Sequence, residues 1–218
     1  IKDMGLTDEL YIKMNSRGKP LTPFEHFKAE LDREIRILDR KTGAKNADRI
    51  IDSIDKTWTD LLWIYRNGSS DNIIDDKFLR YFKFICDIIC YQSGKSPQSY
   101  SSNIATLEEF FNCWCLIDGY SSPTEFLNSF MSHTHEAEKI VVDSRYKIDI
   151  FEDCVNSYSD KSGRIRQFPL NRIVLLYAIT IYLRQQDDIS KANLNRRSRI
   201  VNNLIQNTED ELSDSLHK

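Results

Sequence analysis

Glycine and proline are scarce, with 7 Gly and 5 Pro in 218 residues. An all-β fold needs a turn every ten residues or so, built from Gly, Pro or Asn, so the shortage argues for long helices. No run of about eighteen apolar residues occurs, and no segment reads as a membrane-spanning helix. Charge of one sign is lacking too. Thirty Lys+Arg face 33 Asp+Glu, giving a net charge of −3 and a pI of about 5.9, so no whole-chain charge draws the protein to nucleic acid or membrane. There is no P-loop, no Gly-x-Ser-x-Gly elbow and no dinucleotide fingerprint. The 5 cysteines are odd in number, and Cys86/Cys90 and Cys113/Cys115 are not spaced as C-x-x-C zinc pairs. With Cys154 they read as buried free thiols of a reduced, cytoplasmic protein. No signal peptide opens the chain. It begins at Ile1 rather than Met, and we expect a piece cut from a longer protein, with residues missing before position 1.

What is present is apolar and aromatic. A hydrophobic fraction of 40% and an aromatic fraction of 11% exclude disorder over most of the length. Residues 7–15 fit a short helix ending at Gly18. Thr22, Pro23 and Glu25 form a capping signature. Phe24, Phe27, Leu31, Ile35 and Leu38 then predict a helix to about residue 41. Ile50, Ile54, Trp58, Leu61 and Tyr65 mark a second over 45–66, and Phe78, Phe82, Ile85 and Ile88 a central one over 75–92. Residues 93–105 are Ser-rich and read as a loop and boundary. Helices resume over 106–116 and 122–132, the second with another capping signature, Ser122-Pro123-Thr124-Glu125. Residues 139–142 fit a short strand and 148–158 a short helix. A strong helix follows Phe168-Pro169, with Ile173, Leu176, Tyr177, Thr180, Ile181 and Leu183 on one side. A last helix runs from about Ser190 through Ile200, Leu204 and Ile205. Trp58, Trp63 and Trp114 are expected in the core. The predicted fold is all-α, an irregular bundle of about seven to nine helices, with one part over 1–93, a second over 106–208 and a polar tail over 209–218.

Charge is uneven along the chain. Residues 100–160 hold eleven Asp/Glu against three Lys/Arg, and residues 161–199 nine Lys/Arg against two Asp. The basic part has two readings. One is intramolecular, a basic helix pair docked on an acidic one. The other is a phosphate-backbone footprint for DNA, through Arg164, Arg166, Arg196, Arg197 and Arg199 with Arg172 nearby, which requires several of them on one surface. His133 and His135 with Glu136 and Glu138 offer metal ligands from a loop, but spacing supplies no third ligand. Glu25/His26 and Glu108/Glu109 are adjacent on helices, about 100° apart, and do not converge as acid–base pairs. No metal site is expected.

One block is more specific. Residues 11–29, Y-I-K-M-N-S-R-G-K-P-L-T-P-F-E-H-F-K-A, resemble the second conserved block of the domain-of-unknown-function family at the N-terminus of GmrSD-type restriction endonucleases. That block reads approximately F-x-x-x-N-x-x-G-x-x-L. Tyr11 stands where Phe is usual, while Asn15, Gly18 and Leu21 match. Trp58 to Trp63 with Asp75-Asp76-Lys77-Phe78 is similar to the helical extension of larger members, and Arg199 to Thr208 to a later R-V-x-x-N-L-I-E-N-T block.

The resemblance implies an N-terminal nucleotide-binding domain with a D-G-Q-Q-R motif. It also implies, in many members, a C-terminal His-Asn-His-type metal nuclease acting in phage defence. Neither motif occurs here, so what is expected is the end of the first domain and the helical region after it. On this reading the chain has no cofactor of its own. NTP with Mg would belong to the longer parent, whose missing N- and C-terminal domains are the partners, with DNA a further one and no membrane. Within the block, Gly18 permits close backbone approach. Asn15 offers an amide, Arg17 a planar fork and Lys19 a point charge, so Asn15, Arg17, Gly18 and Lys19 are the candidate nucleotide-binding residues. The helix N-terminus after Thr22 adds N–H groups for an anion. The same turn also serves as an ordinary helix C-cap. The alternative functions are a helical protein–protein scaffold and direct DNA-backbone binding through residues 161–199.

Overall fold

The computed structural model describes residues 21–66, 74–94, 103–136, 139–162, 165–185 and 191–207. The predicted all-α class holds. The described helices are α1 (Pro23–Thr42), α2 (Asn46–Asp55), α3 (Thr57–Trp63), α4 (Asp75–Ser93), α5 (Ile104–Cys115), α6 (Pro123–Phe130), α7 (Ile150–Ser157), α8 (Leu170–Gln185) and α9 (Lys191–Asn207). Two minimal sheets accompany them. Strands β1 (Met131–Ser132) and β2 (Ile140–Val141) pair in parallel, and β3 (Lys161–Ser162) and β4 (Ile165–Arg166) antiparallel. The chain divides into two compact units, Ile1–Glu108 and Glu109–Lys218.

In the first unit, α1 starts on the signature read in the sequence. The Thr22 side chain accepts from the Glu25 N–H at 3.2 Å, and the Glu25 carboxylate accepts from the Thr22 N–H at 2.7 Å. Gly43 ends α1 in the left-handed region, at φ 75°. Leu31 and Ile35 are buried, and Phe24 stacks on Phe78 of α4 with ring centroids 4.6 Å apart. Asp39 then caps the next helix, its carboxylate accepting from the Ala47 N–H at 2.8 Å.

The helix expected over 45–66 is broken. Lys56 leaves helical geometry, at φ −120° and ψ −92°, and separates α2 from α3. The Thr59 hydroxyl donates to the Ile54 carbonyl at 2.6 Å, the kind of side-chain bond that competes with the helical ladder. Trp58 is fully buried beside Phe82, but Trp63 is 39% exposed, with the Arg66 guanidinium 4.9 Å from its ring centroid. The core placement of Trp63 is therefore corrected. Five residues of helix turn by about 140°, which takes Trp63 off the face shared by Trp58, Leu61, Leu62 and Tyr65.

The second unit is built on Phe110, Phe111, Trp114, Phe126, Phe130 and Phe151, all buried. Trp114 packs on Phe151 at 4.9 Å and edge-on to Phe126 at 6.4 Å. Helix α7 is capped by Asp149, which accepts from the Glu152 N–H at 2.8 Å and from the Thr124 hydroxyl of α6 at 2.5 Å. Helix α8 is buried nearly all round. Leu175, Ile179 and Tyr182 are buried as well as Ile173, Leu176, Thr180 and Leu183, while Tyr177 and Ile181 are half-buried. The covered surface of α8 is thus wider than the one-sided stripe that periodicity predicts. The β3–β4 hairpin is an addition to the predicted elements, although Ser162-Gly163 between short strand-like stretches is a turn signal.

The two exposures give a direct test. Trp58→Ala is expected to cost about 3–5 kcal/mol in denaturant unfolding, as for large buried aromatics. Trp63→Ala should cost under about 1 kcal/mol. Equal losses would contradict the placement of Trp63.

Candidate nucleic-acid interface

Helix α9 packs on α8 and on β2. Its inward residues are Leu194, Asn195 and Ser198, which are buried. Ile200 and Leu204, two of the apolar residues that mark this helix in the sequence, are not on the packed face, since Ile200 is 51% and Leu204 59% exposed. The outward positions are Asn193, Arg196, Arg197, Ile200 and Asn203, at the three- and four-residue spacing of one helix side. No Asp or Glu occurs between Lys191 and Asn207.

The arginines of the basic segment divide by what they touch. Arg172 is 3% exposed and internal. Its Nε and Nη2 donate to the Asp153 carboxylate at 3.1 and 2.9 Å, its Nη2 also donates to the Lys147 carbonyl at 2.7 Å, and its guanidinium lies 5.3 Å from the Tyr146 ring. Burial pulls its pKa below the ordinary guanidinium value, against the opposing pull of Asp153. Arg184 pairs with Glu109 and lies 4.7 Å from the Phe110 ring centroid. Arg199 is half-buried, its Nη2 3.4 Å from the Lys139 carbonyl. Arg196 and Arg197 are exposed, and none of the described ion pairs includes them. Arg197 lies 5.5 Å from the Tyr182 ring, a cation–π contact that leaves its N–H fork available. Arg166 is exposed on β4, a different element, and Arg164 lies outside the described residues. Of the five candidate DNA-contacting arginines, Arg196 and Arg197 share one open face, with Arg199 at its edge. Sequence reasoning could not separate Arg172 from Arg196, because only its partners distinguish it.

Asn15, Arg17, Gly18 and Lys19 lie outside the described residues, as does the helix read over 7–15. The adjoining N-terminus of α1 is described, and it narrows one expectation. Pro23 has no N–H, Glu25 donates to Thr22, and the His26 N–H bonds the Thr22 carbonyl at 3.0 Å. The Glu25 carboxylate also sits at this end and completes the capping box. This helix end is largely self-capped, so fewer of its donors are open to an anion than the sequence alone suggests.

The other candidates resolve into local pairs. Glu108 pairs with Arg49 and Glu109 with Arg184. In the loop after β1, Glu136 accepts from Ser132 at 2.7 Å and pairs with Lys139 at 2.7 Å, and these contacts hold its carboxyl below the usual range. His133 Nδ1 is 3.2 Å from the Val142 carbonyl oxygen, and Glu138 lies outside the described residues. Among the described residues no three His, Cys, Asp or Glu side chains gather as metal ligands, and no helix is long and apolar enough to cross a membrane. Comparisons of the chain with protein-family models, with curated proteins and with solved structures return no match.

All five cysteines are free; Cys154 is buried and the other four are half-buried, a correction to the uniformly buried reading. Burial, helped by Asp87 and Cys90, pushes the Cys86 thiol up to about 12. Burial also raises Cys113, against the pull of Arg184, and raises Cys154. These thiols are expected to react slowly with a disulfide reagent at pH 8 and fully only after unfolding. Their folded pKa values lie above the unfolded ones, so their contribution to stability is intact below pH 8.5 or so and falls as pH rises beyond it. Rapid native labelling of Cys86 by mass spectrometry would contradict this.

Proposed function

We propose that the chain is a non-catalytic helical segment of a multidomain, nucleotide-dependent DNA nuclease of the restriction type. It would join a nucleotide-binding N-terminal domain to a C-terminal effector. The reading rests on the likeness of residues 11–29 to the GmrSD-type block. The observation that carries it is the junction at Thr22. The Asn15–Lys19 stretch leads directly into a box-capped helix locked into the first unit by Phe24, Leu31 and Ile35. Occupancy at that stretch therefore has a stiff element through which to bias the helical region. Because the α1 capping box takes up the Thr22 and Glu25 N–H groups, recognition of phosphate falls mainly to Asn15, Arg17 and Lys19. In the longer protein carrying the nucleotide domain, Asn15→Ala is expected to weaken nucleotide binding by roughly tenfold, the loss of one hydrogen bond to a charged group. Unchanged affinity by calorimetry would remove the reading.

A second reading, contact with the DNA backbone, is favoured by the exposure of Arg196 and Arg197 on an acid-free helix. Replacing both by Ala should lower duplex affinity uniformly across sequences. It should also flatten the log–log salt dependence by about 1.8, or 0.9 per phosphate contact. An unchanged salt slope would exclude α9 as the contact, and capture of a protein partner without DNA binding would favour the scaffold.

A further inference from the structure

The open face of α9 is succeeded along the chain by its electrostatic complement. Four carboxylates, Glu209, Asp210, Glu211 and Asp214, lie within the six residues after Thr208, against Lys191, Arg196, Arg197 and Arg199 on α9. Residues 208–218 lie outside the described residues; their sequence follows directly on α9. Resting on the DNA reading of α9, we propose that this acidic stretch competes with nucleic-acid phosphate for Arg196 and Arg197 and so sets the affinity of the face.

Three features of the helix support the competition. The phase of α9 is right. At about 100° per residue, positions 193, 196, 197, 200, 203 and 207 fall in one sector about 120° wide, so the last residue of α9 lies on the arginine side. The reach is sufficient. Arg197 and Asn207 are ten residues apart, about 15 Å along the axis. Eleven residues of chain span up to roughly 36 Å, which leaves length for a reversal. The tether does the rest, because a short covalent link presents its end at an effective concentration on the order of millimolar. A contact too weak to form between separate molecules is then populated. The arginines also suit an exchangeable partner. None of the described ion pairs includes Arg196 or Arg197, whereas Arg172 and Arg184 are each committed to a carboxylate of their own unit.

The test uses the full chain. One variant neutralises the stretch through Glu209→Gln, Asp210→Asn, Glu211→Gln and Asp214→Asn. A second carries Arg196→Ala and Arg197→Ala, and a third carries both sets. Anisotropy of a labelled duplex of roughly 20 base pairs in low salt is expected to show about fivefold tighter binding for the neutralised variant. The third variant should show no such gain over the second. A readout free of DNA accompanies it: the backbone amide resonances of Arg196 and Arg197 should shift between the natural and neutralised chains and converge in high salt. Equal DNA affinity with unshifted amides overturns the competition while leaving DNA binding by α9 standing. If no form binds duplex, the DNA reading fails, and the amide shifts alone decide whether the acidic stretch occupies the arginines.

Discussion

A guanidinium held out of water must find its charge partner inside the protein, and in the second unit that requirement falls on Arg172. Its Nε and Nη2 converge on one oxygen of Asp153, and the Lys147 carbonyl takes a further bond. Three pieces of chain are joined by this one group: the turn at Tyr146–Lys147, α7 and α8. The cost of desolvating the charge is large, and it is offset only while every one of these contacts is kept. The position of α9 depends on it in turn, because α9 packs on α8.

That constraint sorts the uneven charge of the chain. The acidic and basic runs are partly one internal structure, since Arg172 neutralises Asp153 and Arg184 neutralises Glu109. The intramolecular reading of the basic segment thus accounts for Arg172 and Arg184, and the surface reading keeps Arg196 and Arg197. Arg196 and Arg197 face outward from a helix whose buried side, among the described residues, includes the polar Asn195 and Ser198 beside Leu194. Its outward chemistry is the stronger reason for two adjacent arginines there, and the proposed role in contacting a polyanion makes use of it.

Much of the fold is legible because its signals are local. The Thr22–Glu25 box, Gly43 and the periodic aromatics of α4 mark their elements within a few residues, and the structure keeps them. Where the sequence misleads, a competing local force wins. The Thr59 hydroxyl and the departure at Lys56 split one expected helix, and within the second piece the five-residue step from Trp58 carries Trp63 off the buried face. The arginine roles are not legible at all, because Arg172 and Arg196 differ only in partners drawn from other elements. Ile200 and Leu204 mark a helix by their spacing, but periodicity reports a face, not which side of it is covered.

The most direct measurement is a double-mutant cycle between Arg172 and Asp153, read by denaturant unfolding of the full chain. With Arg172→Met and Asp153→Asn, each single change is expected to cost about 3 kcal/mol by leaving a charge or its bonds unmet. The pair together should cost at least about 1 kcal/mol less than the sum. Additive losses, or single changes under about 1 kcal/mol, would contradict an internal Arg172 and with it the division of arginines between core and surface.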